Sequence, residues 1–110
     1  MQTKLIITAI LTSVFCTGAF AQTTFGVPSC KQWREATGAQ ATTFKSWYLG
    51  YVSGLSVMEA VLSKGRQDTL KKVTSANETL SWADRFCAAH LNEDLADAGM
   101  GLMSELRTKK

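Results

Sequence analysis

Proline occurs once in these 110 residues, at Pro28, and histidine once, at His90. A single proline excludes a proline-rich spacer. A single histidine, with no C-x-x-C pair anywhere in the chain, cannot build a zinc centre of three or four nitrogen and sulfur ligands. The phosphate-cradling G-x-x-x-x-G-K-S/T loop and the G-x-S-x-G nucleophile elbow are missing too. An excess of one charge is also lacking: 12 Lys and Arg stand against 9 Asp and Glu, a net charge of +3. The basic residues are scattered, apart from Lys71-Lys72 and the tail "RTKK", which reads as a solvated helix end. Neither nucleic acid nor an anionic membrane surface is indicated by so mild a balance.

What is present begins with the first 21 residues. Lys4 supplies the only early charge, the stretch 5–20 ("LIITAILTSVFCTGAF") has none, and Ala19-Phe20-Ala21 places small residues at −3 and −1. This is the three-part pattern of a secretory signal, with cleavage expected before Gln22. The apolar run is 16 residues long, short of the roughly 20 that span a bilayer. Cys16 is not at the cleavage point and has no lipobox before it. The expected organisation is a signal peptide at 1–21 and one domain at 22–110, with no membrane insertion after cleavage.

Removal of the signal leaves 89 residues, 11 basic against 9 acidic, and two cysteines, Cys30 and Cys87. In an oxidising compartment an isolated pair in a small domain forms one disulfide. The closed loop of 57 residues is worth roughly 4 kcal/mol in the chain-entropy picture.

Spacing predicts an all-α domain of about four helices around a long central one. Ser29 and Gln32 form a capping pair after Pro28, so a first helix is expected over 30–36, ending near Gly38. The small residues of 37–43 read as a loop. The long helix is expected over 42–63. Phe44, Tyr48, Tyr51, Leu55, Met58 and Leu62 recur at steps of 4, 3, 4, 3, 4, and Trp47, Gly50, Gly54, Val57 and Val61 form a second stripe beside them. A helix apolar over more than half its circumference is expected to be covered by several neighbours. Only 13 residues separate Lys45 from Glu59, too few for a membrane span. Gly50, Ser53 and Gly54 make a face small enough for close helix approach. Trp47 and Val57 flank it, and the expected neighbour is a helix of the same chain, with a partner's helix as the alternative. Gly65 is the expected left-handed residue after this helix. Asp68 caps a short helix over 69–73, Ser75 or Ser81 starts a helix reaching about His90, and Asn92 caps a last one. Leu80, Ala83, Cys87 and Leu91 are its predecessor's inward line, and Leu95, Ala98, Leu102 and Leu106 its own.

Reactive groups do not converge. His90 lies three residues after Cys87 on one helical face, but Cys87 is assigned to the disulfide and a histidine suits a helix C-terminus. Glu93, Asp94 and Asp97 read as the acidic start of a helix. No enzyme activity, metal or cofactor is expected. Eight aromatic residues fall in 22–110, more than so small a domain buries fully. Tyr48, Tyr51 and Trp82 are the candidate exposed aromatic surface, and a protein partner or a second copy is the expected ligand.

Together, "SCKQW", the helix "FKSWYLGYVSGLSV", "WADRFC" and a lysine-ended last helix resemble the HdeA/HdeB type of periplasmic acid-stress chaperones. That resemblance implies a periplasmic, disulfide-bonded (Cys30–Cys87) helical protein. Acid would loosen its dimer, and apolar surface would then hold unfolding clients. The chain is sparser in Asp, Glu and Lys than those chaperones. "YLGYVSG" is also similar to the C-x-GY-x-x-G helix of Tai-type immunity proteins. That second resemblance implies an inhibitor of a cell-wall-targeting effector.

Overall fold

A computed structural model describes residues 26–110. The expected signal segment 1–21 and Phe25 lie outside the described residues. Within them run α1 (Cys30–Glu35), α2 (Gly38–Leu62), a 3-10 helix (Thr69–Lys72), α3 (Ala76–Ala89) and α4 (Leu95–Thr108). The described residues contain no strand, only an isolated bridge between Ser29 and Asp94. The described residues are all-α, with four α-helices.

Local chemistry explains each start. The Ser29 hydroxyl accepts from the Gln32 amide at 3.0 Å, and the Gln32 side chain accepts from the Ser29 amide at 2.9 Å. This capping box satisfies two donors that the first turn leaves free. α2 starts at Gly38, earlier than the spacing predicts. Gly38 takes φ +58, a conformation that costs glycine little, so the chain turns there and the expected loop becomes helix. Ser75 caps α3 through the Glu78 amide. Asp94, rather than Asn92, caps α4, in a capping box with Asp97. α3 ends at Ala89 with His90 as its cap, so Leu91 falls in the following turn and is 52% exposed instead of lining the core.

Helix α2 ends one residue before the expected point. Gly65 donates to the Ala60 carbonyl at 2.7 Å and Lys64 to that of Val61 at 3.2 Å. This is the paired closure of a Schellman turn. Because Ser63 is the cap, the left-handed residue is Lys64 (φ 54), and Gly65 (φ 77) follows it. Near the same end of the molecule Lys72 Nζ donates to the carbonyls of Leu106 and Lys109 at 2.8 and 2.7 Å. A cation there satisfies terminal carbonyls of α4 and opposes the helix dipole.

The core gathers Cys30 and Trp33 of α1, Tyr48 and Val52 of α2, Ala83 and Cys87 of α3, and five side chains of α4: Leu95, Ala98, Leu102, Met103 and Leu106. Cys30 and Cys87 are bonded, with Cα atoms 4.8 Å apart and both side chains fully buried. Trp33 Nε1 donates to Asp84 at 2.8 Å, a second tie between α1 and α3. The Cys30 amide donates to the Glu93 carbonyl and the Leu95 amide to that of Pro28, fastening the entry segment to the start of α4.

Helices α2 and α4 run in the same direction. Gly99 abuts Tyr51 and Val52, and eight residues further along each helix Arg107 meets Glu59. The close approach is made by α4's glycines. A methyl group on Gly99 would sit 2.8 Å from two ring carbons of Tyr51, and one on Gly101 would sit 2.8 Å from the Trp82 ring. The small face expected to admit a helix of the same chain, Gly50 with Ser53 and Gly54, is exposed, and nothing lies within 4 Å of a methyl built on either glycine. α3, α4 and the 3-10 helix all pack on α2, as the apolar circumference predicts, but the Gly50–Gly54–Val57–Val61 line remains exposed.

Candidate functional site

The uncovered sides of α2 are apolar. Val57, Met58, Val61 and Leu62 are 63, 57, 67 and 77% exposed. They occupy two adjacent sectors of the helix. Met58 and Leu62 lean toward α4, where Met100 is 47% exposed, and with Leu55 and Met103 they line a groove of about 690 Å³. Its far end is polar: Glu59, Ser63, Arg66, Gln67 and Arg107. Val57 and Val61 continue the exposed line of Gly50 and Gly54, while Trp47, at the head of that line, is half-buried against the core.

Three of the groove's five apolar residues are methionine. Unbranched thioether side chains adapt their shape to what they touch, as on promiscuous peptide-binding surfaces. The groove is open along its length between two helices, a form suited to an apolar helical or extended segment.

Glu59 anchors the polar end. Its carboxylate accepts from the Thr69 amide at 3.0 Å, the Thr69 hydroxyl at 2.7 Å and Arg107 Nε at 3.2 Å. A buried carboxylate is tolerable when its oxygens are occupied in this way. The Thr69 hydroxyl and amide outweigh burial and, joined by Arg107, hold the Glu59 carboxyl below its ordinary range. One side chain thus fastens α2, the 3-10 turn and α4 together beneath the groove. Arg66 uses Nε on the Ser63 carbonyl at 3.0 Å.

The candidate aromatic residues separate. Tyr48 is fully buried, tilted against Trp33 with ring centroids 5.9 Å apart, so it belongs to the core and not to a binding surface. Its hydroxyl has no hydrogen-bond partner among the described residues, and burial pushes the phenol well above its usual range. Tyr51 is half-buried, stacked on Trp47 at 5.2 Å and pressed on Gly99. Burial first, then the carboxylates of Asp94 and Asp97, raise its phenol. Trp82 is half-buried, stacked on Phe86 at 5.3 Å, and donates to Glu105 at 2.6 Å.

The other reactive candidates have structural partners. Cys87 is in the disulfide. His90 Nδ1 lies 2.8 Å from the Phe86 carbonyl and its ring stacks on Phe86 at 4.3 Å. Asp94 and Asp97 cap α4. Among the described residues no group of three or more His, Cys, Asp or Glu side chains is placed to hold a metal, and no helix is long and apolar enough to cross a membrane.

Sequence reasoning missed Glu59, Met100, Met103 and Arg107. Glu59 had a signal: it is the only acid in α2 and continues the inward line Tyr48, Val52, Leu55 at steps of 4, 3, 4. The α4 residues had none, because their role depends on the parallel pairing of α2 with α4. Comparison of the chain with protein-family models, curated proteins and solved structures finds no match.

Proposed function

We propose that this protein binds other proteins, holding their apolar segments in the groove between α2 and α4, as a periplasmic chaperone of the acid-stress type. One observation carries the reading: an open groove lined by Leu55, Met58, Leu62, Met100 and Met103, with its outer side chains about half exposed in the folded chain. Isolated exposed apolar side chains need no explanation, but a contiguous set between two helices favours a partner. Acid acts on this groove through Glu59. Protonation removes the charge that Thr69 and Arg107 stabilise, and the wall formed by the 3-10 turn and the end of α4 loosens from α2.

The test is aggregation of a denaturing client followed by light scattering at pH 2–3 and at pH 7. The wild-type chain suppresses scattering at the acid pH, and a Met58→Lys/Leu62→Lys double variant loses that effect. Lysine stays charged at both pH values, and both sites are exposed, so the fold tolerates it. Equal inactivity of the wild type at both pH values sinks the reading.

A further inference from the structure

The groove between α2 and α4 is apolar along most of its length and charged at one end only. Leu55, Met58 and Leu62 border one side, Met100 and Met103 the other, and Arg66 and Arg107 stand at the polar end. Both arginines fall at that end because the two helices run in the same direction. Each is tied to the fold through Nε, Arg66 to the Ser63 carbonyl at 3.0 Å and Arg107 to Glu59 at 3.2 Å. Their Nη groups have no partner among the described residues, and the Arg107 side chain is 55% exposed. Glu59 is the only acid lining the groove. Its oxygens already accept from Thr69 and Arg107, so one occupied carboxylate stands against two guanidinium groups. Helix C-termini are weakly negative. Here Lys72 on the Leu106 and Lys109 carbonyls and Arg66 on the Ser63 carbonyl offset that charge, and the polar end is net positive.

We propose that the groove also binds the anion of a medium-chain fatty acid, its acyl chain along the methionine-lined stretch and its carboxylate on the Nη groups of Arg66 and Arg107. Charge complementarity selects the head. A carboxylate is ionised at pH 7, and the guanidinium fork matches its two oxygens. The walls select the tail. They are helices whose backbone N–H and C=O groups are used within α2 and α4 along the apolar stretch, so a ligand finds no backbone partners there. An acyl chain needs none, whereas an extended peptide brings an amide at every residue. Unbranched methionine side chains adapt to a flexible chain. From Leu55 to Leu62 the wall runs about 10 Å. In a staggered chain of about 1.5 Å bonds, roughly eight carbons cover that length. Decanoate therefore fills the groove, and longer chains extend past it into water. Because the groove is open, each methylene is partly buried and tightens binding about twofold to fourfold, for a Kd on the order of 10–100 µM. The proposal rests on the groove being an open binding surface, as the chaperone reading does, but it needs no client protein and no acid.

The test is methyl NMR of the methionine-labelled chain at pH 7, its disulfide intact, titrated with sodium salts of fatty acids below their micelle concentrations. Decanoate shifts the Met58, Met100 and Met103 methyl signals. Affinity rises about twofold to fourfold per methylene from hexanoate to decanoate, and dodecanoate binds no more than about twofold tighter than decanoate. Decyltrimethylammonium, with a similar tail and the opposite charge, binds at least tenfold more weakly. Arg66→Glu, at an exposed site with one local bond, keeps the wild-type melting temperature. It weakens decanoate at least fivefold and does not weaken decyltrimethylammonium. Unmoved methyl signals, equal binding of the two ions, an unaffected Arg66→Glu variant, or tightening that continues unabated beyond decanoate overturns the proposal. So does an apolar peptide ending in glutamate that moves these methyls where decanoate does not. The light-scattering assay at pH 2–3 fails or succeeds separately. Suppressed aggregation without decanoate binding removes this ligand and leaves the chaperone reading, and decanoate binding without suppression does the reverse.

Discussion

Gly50, Gly54 and Gly99 lie inside helices that the sequence alone treats alike, and the structure predicts opposite signs for replacing them. Gly50 and Gly54 have open space where a methyl would go, and neither takes a positive φ. Alanine there gains helix propensity of about 0.8–1.0 kcal/mol each with no steric cost. The double variant Gly50→Ala/Gly54→Ala is therefore more stable by about 2 kcal/mol, a rise in melting temperature on the order of 10 °C for a domain of this size. Gly99 is the opposite case. Its methyl would lie 2.8 Å from Tyr51 Cδ1 and Cε1 and 3.4 Å from Val52 Cγ2. The Tyr51 ring cannot step aside freely, because it is stacked on Trp47 at 5.2 Å. Overpacking of this kind costs about 1–3 kcal/mol, which exceeds the propensity gain, so Gly99→Ala is net destabilising by about 1 kcal/mol. Urea and thermal unfolding followed by circular dichroism at a few micromolar protein, without reductant, measure both. Low concentration keeps association out of the comparison. A destabilised Gly50→Ala/Gly54→Ala variant would refute the open face, and a stabilised Gly99→Ala would refute the α2–α4 contact.

Three further predictions concern groups inside the fold. Tyr48→Phe removes a buried hydroxyl that has no partner among the described residues, so the variant gains about 1 kcal/mol in urea unfolding; a loss of that size would mean the hydroxyl is bonded. Glu59→Gln loses about 1.5–3 kcal/mol at pH 7, the worth of a hydrogen bond to a charged group. Because the folded carboxyl lies below its ordinary value of 4.5, its contribution is complete above that value and fades as pH falls through the lowered one. Wild-type stability titrated from pH 7 to pH 2 therefore drops more steeply than that of the Gln variant. A shallower acid limb persists in the variant from Glu78, lowered by the Thr74 amide and hydroxyl; parallel curves would remove Glu59 from the acid response. Reduction of Cys30–Cys87 withdraws roughly 4 kcal/mol from a domain whose whole stability is on the order of 5–15 kcal/mol, so dithiothreitol shifts the urea midpoint strongly downward. An unchanged midpoint would leave the crosslink without a stabilising role.

The all-α class and most helix starts were legible because they depend on neighbours in sequence, and the disulfide because residues 22–110 hold only two cysteines. Ser29 and Gln32, Ser75 and Glu78, and the 3–4 spacing of α2 each state their structure within a turn or two. Boundaries failed where one residue had two local solutions. Gly38 reads as a stop for α1, yet its φ +58 lets the chain turn straight into α2. Asn92 and Asp94 are both good caps, and the choice was made by long-range bonds, with Cys30 donating to Glu93 and Leu95 to Pro28. The groove was illegible for the same reason: Met100 and Arg107 meet Met58 and Glu59 only because α2 and α4 run in parallel. Tyr48 shows the limit of composition. Eight aromatic residues in a small domain argue for exposed ones, but spacing alone does not say that the buried tyrosine is the one without a hydrogen-bond partner.

Helix α2 is apolar on more sides than folding requires. Its Tyr48–Val52 line meets the core, its Leu55–Met58–Leu62 line borders the groove, and its Gly50–Gly54–Val57–Val61 line faces solvent. A single apolar stripe is enough to attach a helix to a domain. The other two lower solubility, and two glycines lower helix propensity by up to about 1 kcal/mol each. Those costs are local and a lysine or glutamate at any exposed site would remove them. A sequence under pressure only to fold would therefore place charges at positions 50, 54, 57 and 61, as α3 and α4 do on their own outer faces with Arg85 and Glu105. Instead α2 carries only two charges in 25 residues, one of them tied beneath the groove, and that leaves the groove's apolar wall on α2 open to a client segment.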